Sequence, residues 1–166
     1  ILVDHQLKSI KKHMRKILFI GILLFSFFGY SQKKVLQTKF ITEGSIIIDG
    51  KIDEKIWETV PEATNFIMFD PDNGKPIPEG KKTDVKVLYD NDAIYIAAFL
   101  YDNEPNKILK EITKRDEFGT SDIFGVFING FNDGQQDFDF FVNAADGQSD
   151  CISTNTNGED YSWDAV

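Results

Sequence analysis

A chain of 166 residues, 42% hydrophobic, 27% charged and 13% aromatic, has the size of one domain and is too apolar to stay disordered. Its single Cys excludes an intrachain disulfide and any Cys-cluster metal site. A formal charge of −9 argues against a nucleic-acid surface and against electrostatic attachment to anionic lipid. The acidic excess identifies no positive partner, because a solvated surface accounts for it.

Ile1 is not a start residue, and Met14 is the better one. Arg15 and Lys16 follow it, then an apolar run from Ile17 to Phe28 broken by Gly21 and Ser26, then Gly29, Tyr30, Ser31 and Gln32. A short cationic end, an apolar stretch and a small-residue exit predict a secretory signal peptide, cleaved between Ser31 and Gln32. The run is shorter than the ~20 residues that span a bilayer. A buried core helix would need no cationic flank and would normally show a polar face. No Cys stands directly after the run, so a lipid anchor is unsupported. The expected organisation is an upstream extension (1–13), a signal peptide (14–31), a linker (32–41) and one domain (42–166). Loss of residues 1–32 removes five basic and one acidic residue. That leaves 13 basic against 26 acidic residues, a formal −13. A lone Cys151 suits export, since it has no partner to mispair with in its own chain.

After residue 32 the chain reads as short apolar runs between turn residues, the pattern of an all-β domain. Ser45 to Asp49 is rich in Ile and ends at the turn signal Asp49-Gly50. Asp53 to Val60 is the one short helix expected, capped by Asp53, with Ile56, Trp57 and Val60 on one face and Pro61 ending it. Asn65 to Phe69 is a further strand candidate. Asp70 to Lys82, with Pro71, Pro76 and Pro78, is a loop.

Thr83 to Tyr89 alternates, with Val85, Val87 and Tyr89 on one face. Asp90-Asn91-Asp92 turns the chain into Ala93 to Tyr101, which is apolar on both faces, as a central strand would be. Asn103 to Arg115 reads as an irregular link with a helical turn after Pro105. Asp122 to Ile128 is a second strand expected to be buried on both sides. Asn132-Asp133-Gly134 signals a tight turn into Gln135 to Val142. There Phe138, Phe140 and Val142 oppose Asp137, Asp139 and Phe141. Asp146-Gly147 leads to Gln148 to Ser153. The fold predicted is an all-β, antiparallel β-sandwich of jelly-roll-like or immunoglobulin-like form. Tyr161 to Val166 approaches a strand with no partner, so the sandwich is expected to be truncated at its C-terminus.

Catalytic constellations are missing after residue 32. His5 and His13 both precede it, which leaves no His for a nucleophilic triad or a metal. No Gly-rich phosphate loop is followed by Lys. Carboxylates are plentiful, but no spacing singles out a glycosidase pair. Asp133, Asp137 and Asp139, with Gln135 at the alternate position between, resemble clustered calcium ligands. An acidic hairpin turn explains the same residues and is the favoured reading. No other cofactor is expected. Trp57, on the apolar side of its helix, reads as core. Trp163, with Tyr161 in a polar stretch, reads equally as a stacking platform for a sugar ring or as core. Arg115, beside Asp116 and Glu117, can orient a carboxylate, bind ligand hydroxyls or form a plain structural ion pair.

The segment from Ile48 to Trp57, Ile48-Asp49-Gly50-Lys51-Ile52-Asp53-Glu54-Lys55-Ile56-Trp57, resembles the opening of family 9 carbohydrate-binding modules. So does the hairpin Val85-Lys86-Val87-Leu88-Tyr89-Asp90 with Ile94-Tyr95-Ile96-Ala97-Ala98 and Tyr101-Asp102. Arg115-Asp116-Glu117-Phe118-Gly119, Ser121-Asp122, Asn132-Asp133-Gly134-Gln135 and Gln148-Ser149-Asp150 are similar to one subgroup, found at the N-terminus of large exported bacterial proteins. In that subgroup the module precedes a C-terminal region resembling an outer-membrane β-barrel.

The resemblance covers roughly residues 42–166 and implies a β-sandwich related to domains that bind sugars or haem. It implies binding of a poly- or oligosaccharide by a non-catalytic module, linked to carbohydrate breakdown by O-glycosyl hydrolases. It places the protein in the periplasm or outer membrane, continuous with an outer-membrane region. The residues expected at the ligand are Arg115, Asp116, Asp122, Tyr161 and Trp163. Haem has little support, with Met68 the only Met beyond residue 32. Two rival readings are an interaction domain on an outer-membrane barrel that binds no sugar, and a glycoside hydrolase whose catalytic part lies beyond Val166.

Overall fold

The computed structural model describes residues 13–14 and 34–165. The predicted signal peptide therefore lies, apart from Met14, outside the described residues. The chain divides into two compact units, Ile1–Thr38 and Lys39–Val166. In the first, His13 and Met14 are helical and residues 34–38 have no regular structure. Among the described residues no helix is long and apolar enough to cross a membrane.

Among its described residues the second unit is nearly all β, with two four-stranded sheets and two short 3-10 helices. In the first sheet, β1 (Lys39–Phe40) pairs in parallel with β3 (Thr83–Tyr89), and β2 (Glu62–Ala63) pairs antiparallel with another stretch of β3. β4 (Ile94–Leu100) lies antiparallel to β3 along its whole length, from Thr83 opposite Leu100 to Tyr89 opposite Ile94. The second sheet is an antiparallel meander, β5 (Ile123–Ile128), β6 (Gln136–Asn143), β7 (Gln148–Thr154) and β8 (Gly158–Asp160).

The β3–β4 hairpin forms where the alternation predicted it. Asp90 closes its turn: Oδ1 accepts the N–H groups of Asp92 (2.9 Å) and Ala93 (2.8 Å), and Oδ2 accepts the Tyr95 hydroxyl (2.9 Å). Leu88, Tyr95 and Ala97 share one face of the hairpin. Segment 41–60 covers that face with Ile41, Trp57 and Val60, and together with Leu88 and Ala97 these make a core of buried apolar side chains. Trp57 is core, as read from the sequence. Its 3-10 helix (Lys55–Thr59) is preceded by Glu54, which accepts the Trp57 indole N–H (3.0 Å) and the Ile47 N–H (2.8 Å). The expected cap, Asp53, lies one residue further out.

Several expectations are corrected. Ser45 to Asp49 is not a strand, because it meets no partner strand and its Ile47 N–H is spent on Glu54. Asn65 to Phe69 makes only a single bridge, Ile67 with Pro76. Positive φ at Asn65 (55°) bends the chain where extension was predicted. β4 and β5 have central-strand sequences yet lie at sheet edges. Each has a partner on one side only among the described strands, and Ile94, Leu100, Ile123 and Phe127 stay exposed. β8 was not predicted, since Gly158-Glu159-Asp160 has no apolar periodicity.

Candidate functional site

The β5–β8 sheet has two chemically different faces. Register places Phe124, Val126, Phe138, Phe140, Val142, Asp150 and Ile152 on one. Gly125, Phe127, Asp139, Phe141, Ser149 and Cys151 lie on the other. Asp150 is thus a carboxylate among apolar neighbours, directly across from Phe140, and it is only 5% exposed. Such a charge demands a compensating cation.

Arg115 supplies it. Its Nη2 donates to Asp150 Oδ2 and to Asp164 Oδ1 (2.8 Å for the latter), and its Nε lies 3.9 Å from Asp116 Oδ2. A tight turn aims the guanidinium. Asp116 takes positive φ (63°), its N–H donates to the Gln148 carbonyl (3.2 Å), and its Oδ1 accepts the Asp150 N–H (3.2 Å). The turn is thereby pinned to β7. Three carboxylates around one guanidinium leave the cluster net negative. Asp150 Oδ1 is buried with no hydrogen-bond partner, an acceptor that costs free energy until something donates to it.

Trp163 packs over the same face, 5.4 Å from the Phe138 ring and 6.1 Å from Phe140. The indole and the Arg115–Asp150–Asp164 cluster are therefore neighbours, since Phe140 and Asp150 form a cross-strand pair. Tyr161 belongs elsewhere. Its ring meets Phe118 at 6.0 Å, and Phe118 packs on Phe141 at 5.2 Å, on the opposite face. The separation arises because Asp160 Oδ1 accepts both the N–H (2.9 Å) and the hydroxyl (2.6 Å) of Ser162, turning the chain around the β8 edge between the two aromatics. Burial, then the bond to Glu159 (2.8 Å), pushes the Tyr161 phenol above its ordinary range.

Asp122 is also placed apart. It leads into β5 and lines a cleft of about 620 Å³ with Lys81, Tyr101 and Asp102. There Lys81 Nζ donates to Asp102 Oδ2 at 2.7 Å. That bond holds the Asp102 carboxyl below its usual range and raises the Lys81 ammonium.

Of the residues considered for calcium, Asp133 sits in the β5–β6 turn, where its Oδ1 accepts the Gln135 N–H (2.9 Å). Asp137 and Asp139 lie on one face of β6. Asp139 is 1% exposed and accepts the Cys151 S–H at 3.7 Å. Among the described residues no three His, Cys, Asp or Glu side chains gather to hold a metal ion.

The structure thus joins Arg115, Asp116 and Trp163 and adds Asp150 and Asp164, which were not among the residues expected at the ligand. Two signals pointed to Asp150: its parity puts it with Phe138 and Phe140, and Arg115 is the only arginine after residue 32. Comparison with protein-family profiles, curated proteins and solved structures finds no match.

Proposed function

We propose that the chain is an exported, non-catalytic β-sandwich of the family 9 carbohydrate-binding type, and that it holds a neutral poly- or oligosaccharide against Trp163, Arg115 and Asp164. The carrying observation is an indole set beside the partly exposed Arg115–Asp164 pair, which the buried Asp150 anchors. A sugar offers an apolar C–H face for the ring and hydroxyls for the exposed parts of Arg115 and Asp164. A mostly apolar surface with a few convergent polar groups suits small-ligand recognition. The negative balance around Arg115 disfavours uronates and sulfated glycans, whose charge would meet Asp116, Asp150 and Asp164.

Isothermal titration against xylan, cellulose and mannan fragments tests the reading. Heat of binding is expected with at least one neutral glycan. Trp163→Ala should weaken it by about tenfold, ~1.4 kcal/mol, and polygalacturonate should bind less well. Absence of heat with every glycan, from a folded sample, ends the proposal. The rival reading, an interaction domain joined to an outer-membrane barrel, draws support from the apolar edges of the two sheets.

A further inference from the structure

β4 is a seven-residue edge strand, Ile94-Tyr95-Ile96-Ala97-Ala98-Phe99-Leu100, without charge, proline or a break in register. Folded proteins protect such edges, because a row of unpaired N–H and C=O groups templates further pairing. Here the direction of that row follows from two hydrogen bonds. Asp90 N–H donates to the Ala93 carbonyl (3.0 Å) and Tyr101 N–H to the Lys82 carbonyl (2.9 Å). Antiparallel alternation between them turns the backbone groups of Tyr95, Ala97 and Phe99 toward β3. Those of Ile94, Ile96, Ala98 and Leu100 point outward, and among the described residues no backbone group meets them.

We propose that a second copy of this chain covers this edge, β4 against β4, antiparallel about a two-fold axis at Ala97. Three features fit that occupant. First, the strand is close to a palindrome about Ala97, so Ile94 meets Leu100, Tyr95 meets Phe99 and Ile96 meets Ala98, apolar against apolar in each pair. Second, the parity agrees. Centring on Ala97 makes all four outward residues hydrogen-bonded partners and gives about eight inter-strand bonds. A centre on Ala98 would leave Ile94 opposite Asp102. In the Ala97 register the two methyl groups meet at a non-hydrogen-bonded pair, where strands approach to about 4.5 Å. Third, the domain is strongly acidic, so two copies approach with least repulsion along a surface that carries no charge. The other apolar edge, β5, lacks this symmetry: centred on Gly125 it sets Ile128 against Asp122, and centred on Val126 it sets Phe127 against Gly125. The result is an isologous interface that closes as a dimer.

Sedimentation of the full chain across a concentration series should show a dimer. Ala98→Pro removes an N–H that points away from β3, a position where an edge strand tolerates proline. It should yield a monomer with unchanged circular dichroism. In a Cys151→Ser background, Ala97→Cys should form an intermolecular disulfide on mild oxidation, since the expected Cα separation lies within the ~4.4–6.8 Å that a disulfide spans. Should the proline variant fail to fold, the cross-link alone decides. A monomeric parent chain overturns the proposal. So does a dimer that survives Ala98→Pro and never cross-links at position 97, as association through another surface would give.

Discussion

Cys151 shows how a single position is set by what surrounds it. It has no exposed surface and faces Asp139 across the β6–β7 pair. Burial, followed by the charge of Asp139, pushes its thiol up to about 11. The thiolate is the reactive form, so the native protein should resist a thiol reagent at pH 8 and react promptly once urea opens the sheet. Fast labelling of the folded protein would show that Cys151 is not enclosed as described. The same face holds Asp139 Oδ1 without a partner, just as the opposite face holds Asp150 Oδ1. Only the second lies beside a guanidinium and an indole, and that difference is why one face, and not the other, is proposed for ligand.

Strand pairing explains residues whose identity looks arbitrary in isolation. Gly125 lies opposite Phe141, and a Cβ there would stand 2.8 Å from that ring. The missing side chain makes room for Phe141, which meets Phe118 at 5.2 Å and Phe127 at 5.5 Å in edge-on contacts. Gly125→Val should cost about 1–3 kcal/mol, the range for overpacking, read as a lower denaturant midpoint. An unchanged midpoint would mean that Phe141 swings away freely and that the aromatic group is not a packed unit. In the other sheet the hairpin rests on Leu88 and Ala97 beneath Trp57, with Tyr95 tied to Asp90 at the turn. Hydrophobic cover for that hairpin comes from residues 41–60, a segment with almost no regular structure.

Charge governs the molecule as a whole. Hydrogen bonds hold several carboxyls below their usual range: Glu54 through the Ile47 N–H, Asp90 through the Asp92 N–H, Asp102 through Lys81 and Asp160 through Ser162. Each contributes stability that is fully present above the unfolded carboxylate value of about 4 and is lost as pH falls through the lower folded value. Lys81 and Lys82 are raised by hydrogen bonds to Asp102 and Asp84. Their contribution is complete below an unfolded value of about 10.4 and is lost as pH rises through the folded one. Stability should therefore be flat through neutral pH, fall below about pH 4 and fall again above about pH 10. Denaturant midpoints measured against pH would show this. A double Asp90→Asn, Asp102→Asn variant should have a shallower acid limb, and an unaltered limb would refute the assignment.

Alternation of period two makes much of this architecture legible in the sequence: the β3–β4 hairpin, the β5–β6–β7 meander and the two faces of β6 all follow from side chains that point to opposite sides of a pleat. Trp57 as core was readable from a helical stripe instead, because one apolar face on a short helix needs a surface to cover. Other features depended on groups far apart in the chain. The Ile-rich stretch from Ser45 to Asp49 has strand-forming residues, but pairing needs a neighbour and none arrives. Apolar side chains on both faces of β4 and β5 could not show that each would have a strand on one side only. Arg115 stood out as a residue, whereas its partners Asp150 and Asp164 lie 35 and 49 positions away, and Tyr161 and Trp163 were parted by one turn at Asp160. Local periodicity records which way each side chain faces; which distant charge or strand it will face is settled when the sheets assemble.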